Sequence, residues 1–179
     1  MPKLTTTFFN RPTLQVAKDL LGKYLVRKVG NKVITGMITE TEAYVGPNDK
    51  ANHASRGLTP RTEVMFGPAG HFYIYLIYGM YYCLNIVTEK SGYPAAVLIR
   101  AVKVEEAPYQ QTNGPGKLCR FFQIDKSLNG KKVTGGKLWL EDRGVIVKLS
   151  QIKRTPRIGV EYAGKWKDKK WRFVYIIDK

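Results

Sequence analysis

Histidine, cysteine and acid are what this sequence has least of. Its only histidines are His53 and His71, and its only cysteines, Cys83 and Cys119, lie far apart in ordinary surroundings. No Cys/His cluster has the spacing of a structural zinc or iron–sulfur site, and two distant cysteines do not make a disulfide framework. A reduced cytosolic chain with no metal or other cofactor is therefore expected. Long apolar runs are missing too: none would span a bilayer, and no basic amphipathic helix of useful length would lie on one. The first ten residues, MPKLTTTFFN, lack the apolar stretch of a signal peptide. No membrane partner is expected. Acids number 14 against 30 Lys and Arg, a formal charge of +16. Self-repulsion on that scale opposes a compact state, so a polyanionic partner is the simplest explanation. Nucleic acid leads, ahead of an anionic membrane surface and of mere solubility.

What is present is enough for a packed core. With 179 residues and 44% hydrophobic content, the chain reads as a single domain over 1–179, too short for two comfortable ones. NRPTLQVAKDLLG (10–22) reads as a short helix, with Asn10 as cap, Pro12 in the first turn and Gly22 at the end. KYLVRKVGNKVITGMITETEAYVG (23–46) reads as two strands around a tight turn at Gly30-Asn31. Residues 46–60 read as a loop, TPRTEVMFG (59–67) as a turn or short helix, and AAVLIRAVKV (95–104) as a central strand. TNGPGKLCRFF (112–122) reads as a loop into a short helix. LWLEDRGVIV (138–147), TPRIGVEYAG (155–164) and WRFVYIID (171–178) read as strands. The fold class expected is α+β: a mostly antiparallel curved sheet, partly open and barrel-like, with a protruding β-hairpin and a few peripheral helices. The basic residues concentrate in the second half, at Lys103, Lys117, Arg120, Lys131, Lys132, Lys148, Lys153, Arg154, Arg157, Lys165, Lys167, Lys169, Lys170 and Arg172. With acids nearly absent from 143 to 160, they suggest a phosphate-tracking surface, although any one of them alone is better read as a solvated charge.

Three stretches hold residues suited to chemistry. In HFYIYLIYGMYYCLN (71–85), six of the eleven residues from Phe72 to Tyr82 are aromatic and five of those are tyrosines. As a strand it puts Tyr73 and Tyr75 on one face, with Ile74 and Leu76 on the other. Gly79 breaks the alternation, so Tyr78 falls at a turn, well placed to wedge into something stacked. The competing reading is a tyrosine-rich core strand. In ITETEAYVGPNDKANHASRG (38–57), Glu40, Glu42 and Tyr44 share a strand face, as general-base carboxylates or as solvated edge glutamates. His53 follows in the loop, where a surface or turn histidine is the default. Arg100 interrupts the apolar AAVLIRAV, so it is either buried and paired or at a strand end reaching solvent.

Together with MFGPAGHFYIYLIYGMYYCLNIVT, NGPGKLC and RIGVEYAGKW, these stretches resemble the alkyladenine (3-methyladenine) DNA glycosylase family, in the family's order and over nearly the whole chain. Between AVKVEEAPYQQ and TNGPGKLC the chain is shorter than the family pattern, which carries an extra helical segment there. The resemblance implies a monofunctional glycosylase of base excision repair. It would act as a monomer on double-stranded DNA containing 3-methyladenine, 7-methylguanine, hypoxanthine or ethenoadenine, in the cytoplasm with the nucleoid or in a nucleus. It implies that Glu42 activates water against the sugar C1′, helped by Arg100 and the backbone carbonyl near Ile158. Tyr44, His53 and Tyr75 would sandwich the extruded base, Tyr78 would fill its place in the duplex, and Asn85 would exclude the 2-amino group of guanine. No lysine nucleophile stands at the motif, so no lyase step is expected. The alternatives are a non-catalytic nucleic-acid-binding module, with Glu42 incidental, and a small β-rich RNA-binding domain.

Overall fold

The computed structural model describes residues 1–177. Eight strands form one antiparallel sheet that does not close: β1 (Tyr24–Val29), β2 (Lys32–Val45), β3 (Phe72–Ile77), β4 (Tyr81–Val87), β5 (Ala95–Lys103), β6 (Leu138–Glu141), β7 (Ile152–Thr155) and β8 (Arg172–Tyr175). The order is β3-β4-β5-β2-β1-β6, with β8 on β2 and β7 on β8. Three short helices, α1 (Thr6–Phe9), α2 (Thr13–Asp19) and α3 (Pro115–Phe121), complete the α+β class expected from the sequence. The long β2 organises the rest. One edge pairs with β5, and the other pairs first with β1 and then, past an irregularity near Glu40, with β8. Period-two alternation sends Phe72, Ile74, Leu84, Ile86, Val97 and Ile99 into one core with Val16, Ala17 and Leu20 of the α2 region and Leu118 and Phe122 of the α3 region. Among the described residues, no helix is long and apolar enough to cross a membrane.

Several expected boundaries move, some for local reasons and some because of contacts made through space. Asn10 does not cap the helix over 10–22; it ends α1, and Pro12 occupies the cap position of α2. The cap arrives through space, since Glu89 Oε1 accepts the Thr13 N–H at 3.1 Å. The strand expected over 138–147 ends at Glu141, because Asp142 folds its carboxylate onto the Gly144 N–H (3.0 Å) and Gly144 is left-handed at φ 77. TPRIGVEYAG is not a strand beyond Thr155: after Pro156 the chain leaves the sheet and makes 3-10 turns over Glu161–Trp166. The last strand covers Arg172–Tyr175; the expectation for Asp178 lies outside the described residues.

Candidate active site

The register of the central strands writes a row of side chains across the sheet. Tyr73 pairs with Asn85, Asn85 with Leu98, Leu98 with Glu42 and Glu42 with Arg172. Directly paired residues share a face, and so do their neighbours two positions along: Tyr75, Cys83, Ala96, Arg100 and Tyr44. This is the face opposite the main core. Segments around 51–53, 61–65 and 158–162 wall it in and leave a cavity of about 370 Å³. Tyr44, His53, Tyr75, Tyr78, Asn85, Arg100 and Ile158 all line that cavity. Glu42 is fully covered, in contact with Tyr44, Arg100 and Ile158.

Neither Glu40 nor Glu42 is an edge glutamate, because β2 has strands on both sides there. Their surroundings still differ. Glu40 is held by Arg100 at 3.0 Å and Arg172 at 2.6 Å. Glu42 accepts the Tyr44 hydroxyl at 2.7 Å and the Ile158 N–H at 2.9 Å, with Arg100 Nη1 at 3.4 Å. Burial pushes the proton affinity of Glu42 above the usual carboxylate range; Arg100, the Ile158 N–H and the Tyr44 hydroxyl oppose that, and the charge of Glu40 adds to it. A carboxylate so placed takes a proton more readily than one in water, which is the property a general base needs. The Arg100 side chain is only 14% exposed, so it belongs to the buried and paired reading and does not run to solvent at a strand end.

The aromatic wall is built across and along the strands. The Tyr75 ring lies 5.3 Å from Tyr73, and the His53 ring meets it edge-on at 4.5 Å. His53 sits on a short 3-10 turn, His53–Arg56, so the default of a turn histidine holds for its backbone while its ring is half-buried. Burial, with Arg61 and Arg56 nearby, brings its pKa down to about 4, so the ring is neutral at physiological pH. Burial, chiefly, also holds the Tyr44 and Tyr75 phenols protonated well beyond neutrality. The Asn85 amide donates to the Tyr73 carbonyl at 3.2 Å and is 3% exposed. At the β3–β4 turn the Met80 N–H closes on the Ile77 carbonyl, with Tyr78 at φ 52 and Gly79 at φ 64. Two successive left-handed residues match the twist of a tight hairpin turn. Tyr78 is 86% exposed, which excludes the reading of it as core.

Sequence reasoning missed other parts of the site. Arg61 lines the cavity with its guanidinium 5.4 Å from the Tyr75 ring. Asn52 fixes the turn that carries His53, donating to the Gly46 and Pro94 carbonyls (both 2.9 Å) and accepting the Ala54 N–H. Arg157 was placed on the phosphate-tracking surface; it is instead fully buried on Asp49. Arg172 is half-buried on Glu40. Nothing local in the sequence pairs residues 49 and 157, and only the fold brings them together.

The sequence model of the methylpurine-DNA glycosylase family matches residues 7–178. Relatives whose names carry the words 3-methyladenine DNA glycosylase include one from Methanocella arvoryzae, 51% identical, covering 97% of this chain and 92% of its own length. One from Legionella pneumophila is 48% identical over 99% and 96%, and one from Myxococcus xanthus 50% identical over 91% and 84%. The chain belongs to the methylpurine-DNA glycosylase family.

Proposed function

From its place in the methylpurine-DNA glycosylase family, we propose that this chain works as one domain, and as a monomer, on duplex DNA, extruding alkylated or deaminated purines and hydrolysing their glycosidic bond. The observation that carries this reading is Glu42, a buried carboxylate of raised proton affinity among side chains that line an aromatic cavity. A simple nucleic-acid binder has no use for such a group there. Glu42 takes a proton from water as that water attacks C1′, while the base departs with the bonding electrons. Arg100 and the Ile158 carbonyl hold the water. Tyr44, Tyr75 and a neutral His53 receive the base between them, and Asn85 excludes the 2-amino group of guanine. Tyr78, exposed on a tight turn, occupies the vacated stack, where extrusion costs a few kcal/mol and is least costly at damaged bases. An alkylated purine such as 3-methyladenine is already a cationic leaving group, so orientation and one carboxylate carry much of the catalysis. No lysine is among the cavity-lining residues described, which supports hydrolysis over a Schiff-base route. The surface lysines serve the phosphates.

The test is Glu42→Gln on a duplex containing hypoxanthine, with abasic sites revealed by hot alkali. Release is expected to fall by roughly 10²–10⁴-fold while binding to lesion DNA persists. Turnover within about tenfold of the parent would assign the base elsewhere.

A further inference from the structure

We propose that the buried Asp49–Arg157 pair is a positioning clamp for the reaction, holding the segment after β7 against β2 so that the Ile158 N–H stays on the Glu42 carboxylate. Both side chains are 0% exposed. Arg157 grips Asp49 with two prongs, Nη1 to Oδ2 at 2.6 Å and Nη2 to Oδ1 at 2.9 Å. The same two nitrogens also donate to the carbonyls of Ala43 (2.9 Å) and Trp166 (3.2 Å). Ala43 is the residue between Glu42 and Tyr44, and the guanidinium lies 4.8 Å from the Tyr44 ring and 5.1 Å from that of Trp171. Asp49 is itself tied to its loop through the N–H groups of Val45 and Ala51, both at 3.1 Å. One pair therefore joins the end of β2, the loop that leads to His53, and the segment whose next residue is Ile158.

Stability alone does not account for it. A buried ion pair often gives no more stability than apolar side chains of similar volume, and Arg157 Nε is buried with no acceptor, an added cost. Apart from the pair, the 157–166 segment is anchored by a small apolar cluster of Val160 and Ala163 with Ala51, by the Tyr162 hydroxyl donating to the Ala51 carbonyl (3.2 Å) and, one residue before Arg157, by Arg172 Nε donating to the Pro156 carbonyl (3.1 Å), while Ile158 is 49% exposed and Gly159 is left-handed. Such a loop leaves an N–H free to swing off its acceptor unless something rigid stands next to it. The clamp reaches Glu42 only through Ile158 and Tyr44. The other titratable or charged groups around Glu42 are Arg100, Glu40, Tyr75 and Cys83, and those around Asp49 are Tyr93 and Tyr162.

The inference rests on Glu42 being the base, and the experiment separates the two. Single-turnover excision of hypoxanthine is followed from pH 5 to 9 for the parent, Arg157→Lys, and the double variant Asp49→Asn/Arg157→Gln, with Glu42→Gln in parallel. Lysine keeps the charge and loses the fork; the double variant leaves no unpaired charge. When the Ile158 N–H drifts away, the carboxylate loses a donor to its charged form. The acid limb of the rate should then move to higher pH by roughly half a unit to one unit, with rates approaching the parent in alkali and lesion-DNA affinity little changed. An equal loss at every pH, an unmoved limb, or failure of both variants to fold would make the pair merely structural and overturn the proposal. An active Glu42→Gln would instead remove the base assignment beneath it.

Discussion

Leu98 and Ile99 are neighbours on β5 and point to opposite sides of the sheet, and the two sides are built on different rules. On the side of Ile99 the residues are apolar and continuous with the helices: Val97, Leu84, Ile86, Phe72 and Phe173 all join the main core. On the side of Leu98, within the same paired rows, stand Arg100, Asn85, Tyr44, Tyr73 and Tyr75 around a cavity, with Glu42 covered in contact with Tyr44 and Arg100. The first face gains from burial at its apolar positions, and its one polar residue paired with Ile99, Thr41, is satisfied by donating to the Ala17 carbonyl at 2.7 Å. The second keeps features that cost folding energy: a buried carboxylate of raised proton affinity, and at its rim a tyrosine in left-handed backbone. Local rules broken on one face of an otherwise consistent sheet mark where function overrides stability.

Truncating the two neighbours should separate the faces most strongly. Ile99→Ala opens a cavity in close-packed core and should cost roughly 2–5 kcal/mol in denaturant unfolding, with single-turnover excision by the folded fraction near the parent value. Leu98→Ala removes the same kind of side chain from the wall of an existing cavity, so its loss of stability should be clearly smaller and its loss of excision larger. Equal unfolding costs and equal excision rates for the two would erase the distinction between the faces.

The apolar face was largely legible in the sequence. AAVLIRAV is a nearly continuous apolar run that reads as a central strand, HFYIYLIY shows the period of two, and Gly30-Asn31 marked the β1–β2 turn. The segment after Thr155 was not legible, because what removes it from the sheet is a salt bridge to Asp49, more than a hundred positions away. Short-range pattern also put Asn10 at the helix start, where the cap is Glu89 from a distant turn. For the cavity face, spacing alone put Glu40, Glu42 and Tyr44 on one strand face. It left open whether Glu42 was buried and whether Tyr78 was core. The family resemblance, not spacing, put His53 and Ile158 at that site; that Arg61 joins them on one cavity needed the fold.

The turn offers a finer test. Tyr78 combines 86% exposure with φ 52, so it contributes little burial and carries backbone strain on the order of 1 kcal/mol. Tyr78→Gly should therefore leave the melting temperature unchanged or slightly higher. Capture of a flipped base, read from ethenoadenine fluorescence in a duplex, should fall by about 5- to 150-fold, the equivalent of 1–3 kcal/mol of lost stacking. Capture within about twofold of the parent would show that this ring does not fill the stack.

The smallest effect expected concerns the carboxylate itself and uses Glu42→Gln as a probe of folding. In the folded chain Glu42 holds its proton to higher pH than an unfolded glutamate, with burial as the leading cause. Folding then favours the protonated form, so that stabilisation is fully present below the unfolded carboxylate pKa and is lost as pH rises through the folded one. Glutamine does not titrate. The melting temperature of Glu42→Gln minus that of the parent should be smallest in acid, widen through and above the carboxylate range, and level off once Glu42 is ionised, a change on the order of a few degrees. No counterpart on the core face can show this, since nothing there ionises in that range. If the gap instead narrows with rising pH, the Tyr44, Ile158 and Arg100 contacts outweigh burial. Glu42 would then be a settled structural anion, weak as a base, and the cavity face would no longer differ from the core in kind.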